Sequence, residues 1–205
     1  MDKVRHFVEQ SWLLIVSSFC FGLLLAATNY ALAPTIRQNR IDKLNRLAKG
    51  LLSEAEHFVE MEERIEIESG RVKEEITIYK AEAAGEQCVG WSFSVGGPGF
   101  QGTIYLVVGV DAGFEKLAGY RVLSSSETPG FGDKIKYDYF RGQFEGAPAA
   151  ELKLISSGDA RKIDSEIVVI SGATISSEAV VAIMNDSVLQ VKEQMRKKGL
   201  IENGR

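Results

Sequence analysis

The sequence predicts an α+β protein: an N-terminal transmembrane helix, then a domain built on a mainly antiparallel β-sheet with packed helices. Three observations carry that class. No charged residue occurs from position 10 to position 36, a stretch long enough to cross a hydrocarbon layer. Short runs of alternating apolar and polar residues follow, punctuated by glycine-rich turns. A long amphipathic segment closes the chain. The expected organisation is a tail and anchor over residues 1–34, an amphipathic connector helix over 35–60, and one domain over 61–205.

In the first element, SWLLIVSSFCFGLLLAATNYALA (residues 11–33) would span roughly 34 Å as a helix at about 1.5 Å per residue. Ala31-Leu32-Ala33 has the small-x-small form of a signal-peptide cleavage site. The apolar run is too long for a signal core, however, and Pro34 follows the would-be cut, so an uncleaved anchor is expected. Lys3 and Arg5 flank one side of it; Arg37, Arg40, Lys43, Arg46 and Lys49 flank the other. Read literally, the positive-inside rule places the large domain in the cytoplasm. In the connector, Ile41, Leu44, Ala48, Leu51, Ala55 and Phe58 recur at helical spacing.

The runs ERIEIES, RVKEEITIYKAE, QCVGWSFSV, GTIYLVVGVD and KLAGYRVLSS read as strands, and GGPG, DAG and TPGFG as the turns between them. A loop-rich stretch over 137–158 precedes a further strand, EIVVI. In the closing helix, Val180, Ile183, Met184, Val188, Val191 and Met195 form one apolar stripe. Arg196, Lys197 and Lys198 suit its C-terminal dipole, and Gly199 can end it.

Composition narrows the chemistry. A net charge of −4 argues against nucleic acid as a partner, since phosphate backbones need a basic face. Cys20 and Cys88 are too few for a cysteine-ligated iron–sulfur centre, and neither His6 nor His57 sits in a metal-ligand spacing. No metal site and no catalytic side chain is expected. GPGFQG (residues 97–102) fits G-x-G-x-x-G, but the β-branched run TIYLVVGV follows where a dinucleotide site needs a helix. A tight hairpin loop accounts for it better.

The segment SGATISS (residues 171–177) crowds the hydroxyls of Ser171, Thr174, Ser176 and Ser177 around Gly172 and Ala173 at a strand-to-helix junction. One reading is an over-supplied helix N-cap. The other is a phosphate site, where free N–H groups and the helix dipole favour an anion. Hydrolysis by one of these hydroxyls would need an adjacent base, and this half of the chain has no histidine. A second segment, SSSETPGFGDKI (residues 124–135), places Pro129-Gly130 where a type II turn needs them.

Together, SGATISS and ETPGFGDKI resemble the motifs of the FMN-binding domain found in the G subunit of Rnf complexes and the C subunit of sodium-pumping NADH:quinone reductases. The resemblance implies that Thr174 is joined to FMN through a phosphoester, made by a separate flavin transferase that cleaves FAD. Ser171, Gly172, Ala173, Ser176 and Ser177 would complete that motif. Glu127, Thr128, Gly130 and Phe131 would form the loop against the flavin, with Phe131 where leucine is usual. A third match, residues 99–111, makes Phe100 and Gln101 pocket contributors, while Trp91 and Tyr105 read better as core. The family's aspartate six residues before the modified threonine is Val168 here, with Asp164 and Glu166 nearby.

By this resemblance the chain is a membrane-anchored electron-transfer subunit of an Rnf-type ion-translocating ferredoxin:NAD oxidoreductase, the short length favouring that subunit over its counterpart. Its partners would be the other membrane and redox subunits, and its flavin domain would lie on the outer face of the cytoplasmic membrane, against the charge count. Two alternatives stand beside this reading. One is a free-standing extracytoplasmic flavoprotein reductase; the other is a cofactor-free interaction domain in which SGATISS only caps a helix.

Overall fold

The uncharged run folds within one helix, α1 (Asp2–Lys49), in the computed structural model of the chain, which describes residues 2–69 and 72–201. Among the described residues, this is the one helix long and apolar enough to cross a membrane. Trp12, Leu13, Phe19, Leu24 and Leu25 are all exposed on it, so the run has no apolar face turned to a core of its own. The hydroxyls of Ser17 and Thr28 bond back to the carbonyls of Leu14 and Leu24, at 3.0 and 2.8 Å, which satisfies them without water. Pro34 lies inside the helix; it removes one backbone donor, and the helix continues past it.

The chain divides into two units, Met1–Asp42 and Lys43–Arg205. The second is organised around a five-stranded antiparallel sheet. Its strands are β1 (His57–Glu60), β4 (Ile78–Glu82), β5 (Cys88–Pro98), β6 (Thr103–Asp111) and β7 (Leu117–Ser124), in the order β1-β4-β5-β6-β7. A separate hairpin pairs β2 (Ile65–Ser69) with β3 (Val72–Ile76). Ile76 and Ile78 are both buried, so the alternation runs unbroken across Thr77. That is why the sequence reads as one strand where the structure has two, with different partners.

The expected helix over 35–60 is helical only to Lys49. Gly50 and Leu51 form a turn, with their N–H groups on the carbonyls of Arg46 and Ala48. The remainder reaches the sheet as irregular chain and then as edge strand β1. Leu44 and Ala48 are buried against Val107 and Leu123, and Leu52 and Ala55 against Ala81. Ile41 is exposed; the other apolar positions of the expected stripe pack against the sheet, but through two different backbone conformations.

The other face of the sheet buries Trp91, Phe93 and Val95 of β5 and Ile104, Leu106, Val108 and Val110 of β6. These share one core with the stripe of α3 (Thr174–Lys197). The glutamines of α3 also hold the β2 backbone: Gln190 Oε1 accepts from Glu68 N at 2.7 Å, and its Nε2 donates to Glu68 O at 2.8 Å. Gly199, at φ 71°, ends the helix; Leu200 N bonds Met195 O and Gly199 N bonds Arg196 O, a Schellman arrangement.

The stretch read as loop-rich contains a short helix, α2 (Asp138–Arg141), and a strand, β8 (Lys153–Ile155), that pairs in parallel with β9 (Glu166–Val168). Phe140, Phe144 and Tyr120 interlock edge to face there, at centroid distances of 5.5 and 4.9 Å.

Gly97 sets how closely α3 approaches the sheet, because a Cβ at that position would lie 2.5 Å from Ile183 Cγ1. Gly97→Val is expected to destabilise the domain by about 1–3 kcal/mol through overpacking. Thermal or denaturant unfolding checks this, and a wild-type midpoint would contradict it.

Candidate functional site

Three segments converge at one end of the sheet. The first is the hairpin loop between β5 and β6, closed by Gly99 N on Gly102 O at 2.8 Å. The run GPGFQG is thus a tight turn between strands. The second is the loop after β7. Phe131 N bonds Thr128 O at 3.2 Å, and Gly130 takes φ 77°, the type II geometry that Pro-Gly favours. The third is the junction between β9 and α3, where Ala173 N bonds Ile170 O at 2.9 Å and Gly172 takes φ 79°.

Between them lies a cavity of about 350 Å³, lined by Phe100, Glu127, Thr128, Phe131, Gly132, Gly172, Ala173, Thr174, Ile175 and Ser176. Its size falls at the lower end of the range for small-molecule sites. Phe100, Phe131 and Ile175 are 59, 58 and 51% exposed, an apolar rim open on the surface. The Lys134 ammonium sits 5.7 Å from the centre of the Phe131 ring, within cation–π reach. Among the described residues, Glu127 is the one ionisable group in the lining.

The four hydroxyls of SGATISS do separate work, and none of them caps the helix. The N-cap residue is Ala173, which makes no side-chain cap. Ser177 is fully buried; its Oγ donates to Ala173 O at 2.9 Å and accepts from Ile170 N at 3.2 Å, stapling the turn shut. Ser176, 3% exposed, donates to a carboxylate oxygen of Glu127. Ser171 and Thr174 are exposed, and of these Thr174 lines the cavity. Thr174 is also the first residue of α3, so the N–H groups of its first turn have no intrahelical acceptor.

Of the residues named from the motifs, Glu127, Thr128, Phe131, Gly172, Ala173, Thr174 and Ser176 line the cavity, whereas Gly130, Ser171 and Ser177 are not part of its lining. Phe100 also lines it, and Gln101 contributes its backbone, whose N–H bonds Glu127 Oε1 at 3.0 Å. Trp91 is core: it is 4% exposed and its indole N–H bonds Ala112 O at 3.1 Å. Tyr105 packs on the opposite side of the sheet, beside Leu44 and Val107.

Gly132 and Ile175 were not named from the sequence. An apolar residue in the first turn of an amphipathic helix reads as core, and only the fold shows Ile175 facing out. Val168, where the resemblance led to an expected aspartate, has its backbone held by Gln143, with Val168 N on its Oε1 at 2.7 Å and its Nε2 on Val168 O at 3.2 Å. Asp164 is occupied by Lys162, 2.5 Å away, which holds its carboxyl below the usual range.

The model of the FMN-binding domain matches residues 99–188, which contain all three segments. Among similar proteins is the G subunit of the Na(+)-translocating ferredoxin:NAD(+) oxidoreductase complex of Acetobacterium woodii, 30% identical over 90% of this chain and 91% of that one. Another is the G subunit of the proton-translocating ferredoxin:NAD(+) oxidoreductase complex of Clostridium ljungdahlii, 28% identical over 87% and 88%. The G subunit of the ion-translocating oxidoreductase complex of Methanosarcina acetivorans is 35% identical over 58% of this chain, and the match spans 60% of its length. The crystal structure of Shewanella oneidensis NqrC shares the fold, with TM-score 0.52 and 18% identity over 71% of this chain and 73% of that chain.

Two glycines of the second loop differ in what they require. A Cβ on Gly132 would lie 2.6 Å from Ser176 Oγ and 2.7 Å from Glu127 Oε2, while one on Gly130 meets nothing within 4 Å. Gly132→Ala is expected to cost about 1–3 kcal/mol by overpacking, and Gly130→Ala about 1 kcal/mol through its positive φ alone. Thermal unfolding of the two variants measures the difference; the reverse order would contradict the steric account.

Proposed function

The chain belongs to the family of G subunits of ion-translocating oxidoreductase complexes, and from that premise we propose that it relays electrons through FMN joined to Thr174 by a phosphoester. The observation that carries this is the state of Thr174. Thr174 is exposed and lines the cavity at the start of a 24-residue helix, while its neighbours Ser176 and Ser177 are buried and engaged. An acceptor hydroxyl must be reachable by the enzyme that modifies it, and this one is.

The residues present fit the group. FMN supplies electron transfer in steps of one or two electrons, which neither the side chains nor the backbone of this chain can do. The N–H groups of the first turn of α3 are placed to accept a phosphate's charge, with the helix dipole behind them. Among the described residues no lysine or arginine lines the cavity, so this terminus supplies the compensation. Phe100, Phe131 and Ile175 offer apolar cover to a flat ring and keep water from it. No side chain needs to act as acid or base, since relay between redox partners makes and breaks no bond in a substrate.

The first 36 residues fit the same role. α1 anchors the chain in the membrane as a single span, with the flavin domain on its outer face. It carries no charged side chain between positions 10 and 36, so ion movement is assigned to other subunits. The named relatives couple to sodium in one case and protons in the other, consistent with the ion being chosen elsewhere in the complex.

Intact-mass analysis of the denatured chain, made in cells that contain a flavin transferase, tests the link. The expected result is a gain of one FMN less one water in the wild type and no gain in Thr174→Ala. An unmodified wild type, beside a control protein flavinylated in the same cells, would refute the covalent reading.

A further inference from the structure

We propose that Glu127 is a positioning residue: its carboxylate ties the hairpin loop, the loop after β7 and the start of α3 into one unit, and so sets the spacing between the cofactor's cover and its attachment point. The inference rests on the cavity being the FMN site, but concerns a residue that holds the site rather than one that touches the reacting group.

Glu127 is 5% exposed, and among the described residues its carboxylate makes no salt bridge. A buried carboxylate without a cation is costly, and here both oxygens are satisfied by neutral donors from distant parts of the chain. Oε1 accepts the Gln101 N–H at 3.0 Å, and Oε2 accepts the Ser176 hydroxyl. The backbone is shaped to let it in. A Cβ on Gly99 would lie 2.5 Å from Oε1, and one on Gly132 would lie 2.7 Å from Oε2, so two glycines pack directly on the two oxygens. Phe100 rides on the first loop, Phe131 on the second and Thr174 on the helix turn, all fixed relative to one carboxylate.

The core of the domain lies elsewhere, under α3 and the sheet, and an apolar residue at this position would avoid the desolvation cost. What the carboxylate adds is a junction with two acceptors on one rigid group, which no apolar side chain can supply.

The test uses the full chain in detergent, with FMN loaded by the transferase, and compares wild type with Ser176→Ala, Glu127→Ala and Glu127→Gln. Glutamine keeps both arms, with its oxygen accepting from Gln101 N–H and its nitrogen donating to the Ser176 hydroxyl. Hydrogen exchange at the Gln101 amide should rise about three- to tenfold in Ser176→Ala and Glu127→Ala, the loss expected for one hydrogen bond. Fluorescence from the attached flavin should rise with it as the ring loosens, and Glu127→Gln should restore both.

Wild-type exchange at Gln101 in Ser176→Ala would overturn the proposal, because the two arms would then be uncoupled. A Glu127→Gln variant as loose as the alanine variant would overturn it as well. Should Glu127→Ala fail to fold, Ser176→Ala still decides. If the wild type carries no FMN, the functional reading fails instead, and exchange at Gln101, which needs no flavin, continues to judge the junction on its own.

Discussion

The burial of one stripe of α3 against the sheet places everything else. Val180, Ile183, Met184, Val188, Val191 and Met195 lie at 6% exposure or less, and each such side chain contributes about 1.5–3 kcal/mol by leaving water. That contact fixes the helix along its length, so its first turn has a defined position at the end of the sheet. The loops on either side can then be short. Glycine at position 97 lets the helix come close enough for this packing, and Gln190 and Gln194 use the exposed flank of the same helix to hold β2. A single element thus supplies core, edge pairing and the site's polar terminus.

Electrostatically the site is unusual in having no fixed cation among its described lining residues. Its positive character comes from backbone dipoles, which are held by the hydrogen bonds of the helix and need no counter-charge of their own. Lys134 stands outside the lining, over the Phe131 ring. Its charge lies over an aromatic face, and within the lining the helix terminus is what suits an anion. The chain reaches a similar end at β9, where the amide of Gln143 serves the backbone of Val168 with a donor and an acceptor at once.

Much of this was legible in the sequence because the signals were local. Alternation located the central strands, and the strand after GPGFQG excluded a dinucleotide fold. Glycines 130 and 172 announced turns that do adopt positive φ. What escaped was set by partners distant in sequence. Periodicity at Ala55 and Phe58 was real, yet Gly50 ends the helix and those side chains reach the core through a turn and a strand. Thr77 separates two strands only because β3 and β4 pair with different neighbours. The hydroxyl cluster read as either a cap or a phosphate site, and the part Ser176 plays depends on Glu127, 49 residues before it. Gly132 and Ile175 carry no pattern that marks them; their roles follow from which atoms the fold brings against them.

The position of Thr174 on a helix, and not on a loop, has a consequence for how strongly the cavity must bind. The first residue of a packed helix is a fixed point, and a group joined to its side chain can explore only the small volume that a few rotatable bonds permit. Within that volume its effective concentration is of order millimolar or higher, whatever the supply outside. A cavity of about 350 Å³ with an open apolar rim need not hold its ligand tightly under those conditions. With FMN joined there as proposed, it would need only to prefer one orientation of a group that cannot leave, which would free its surface to meet a partner.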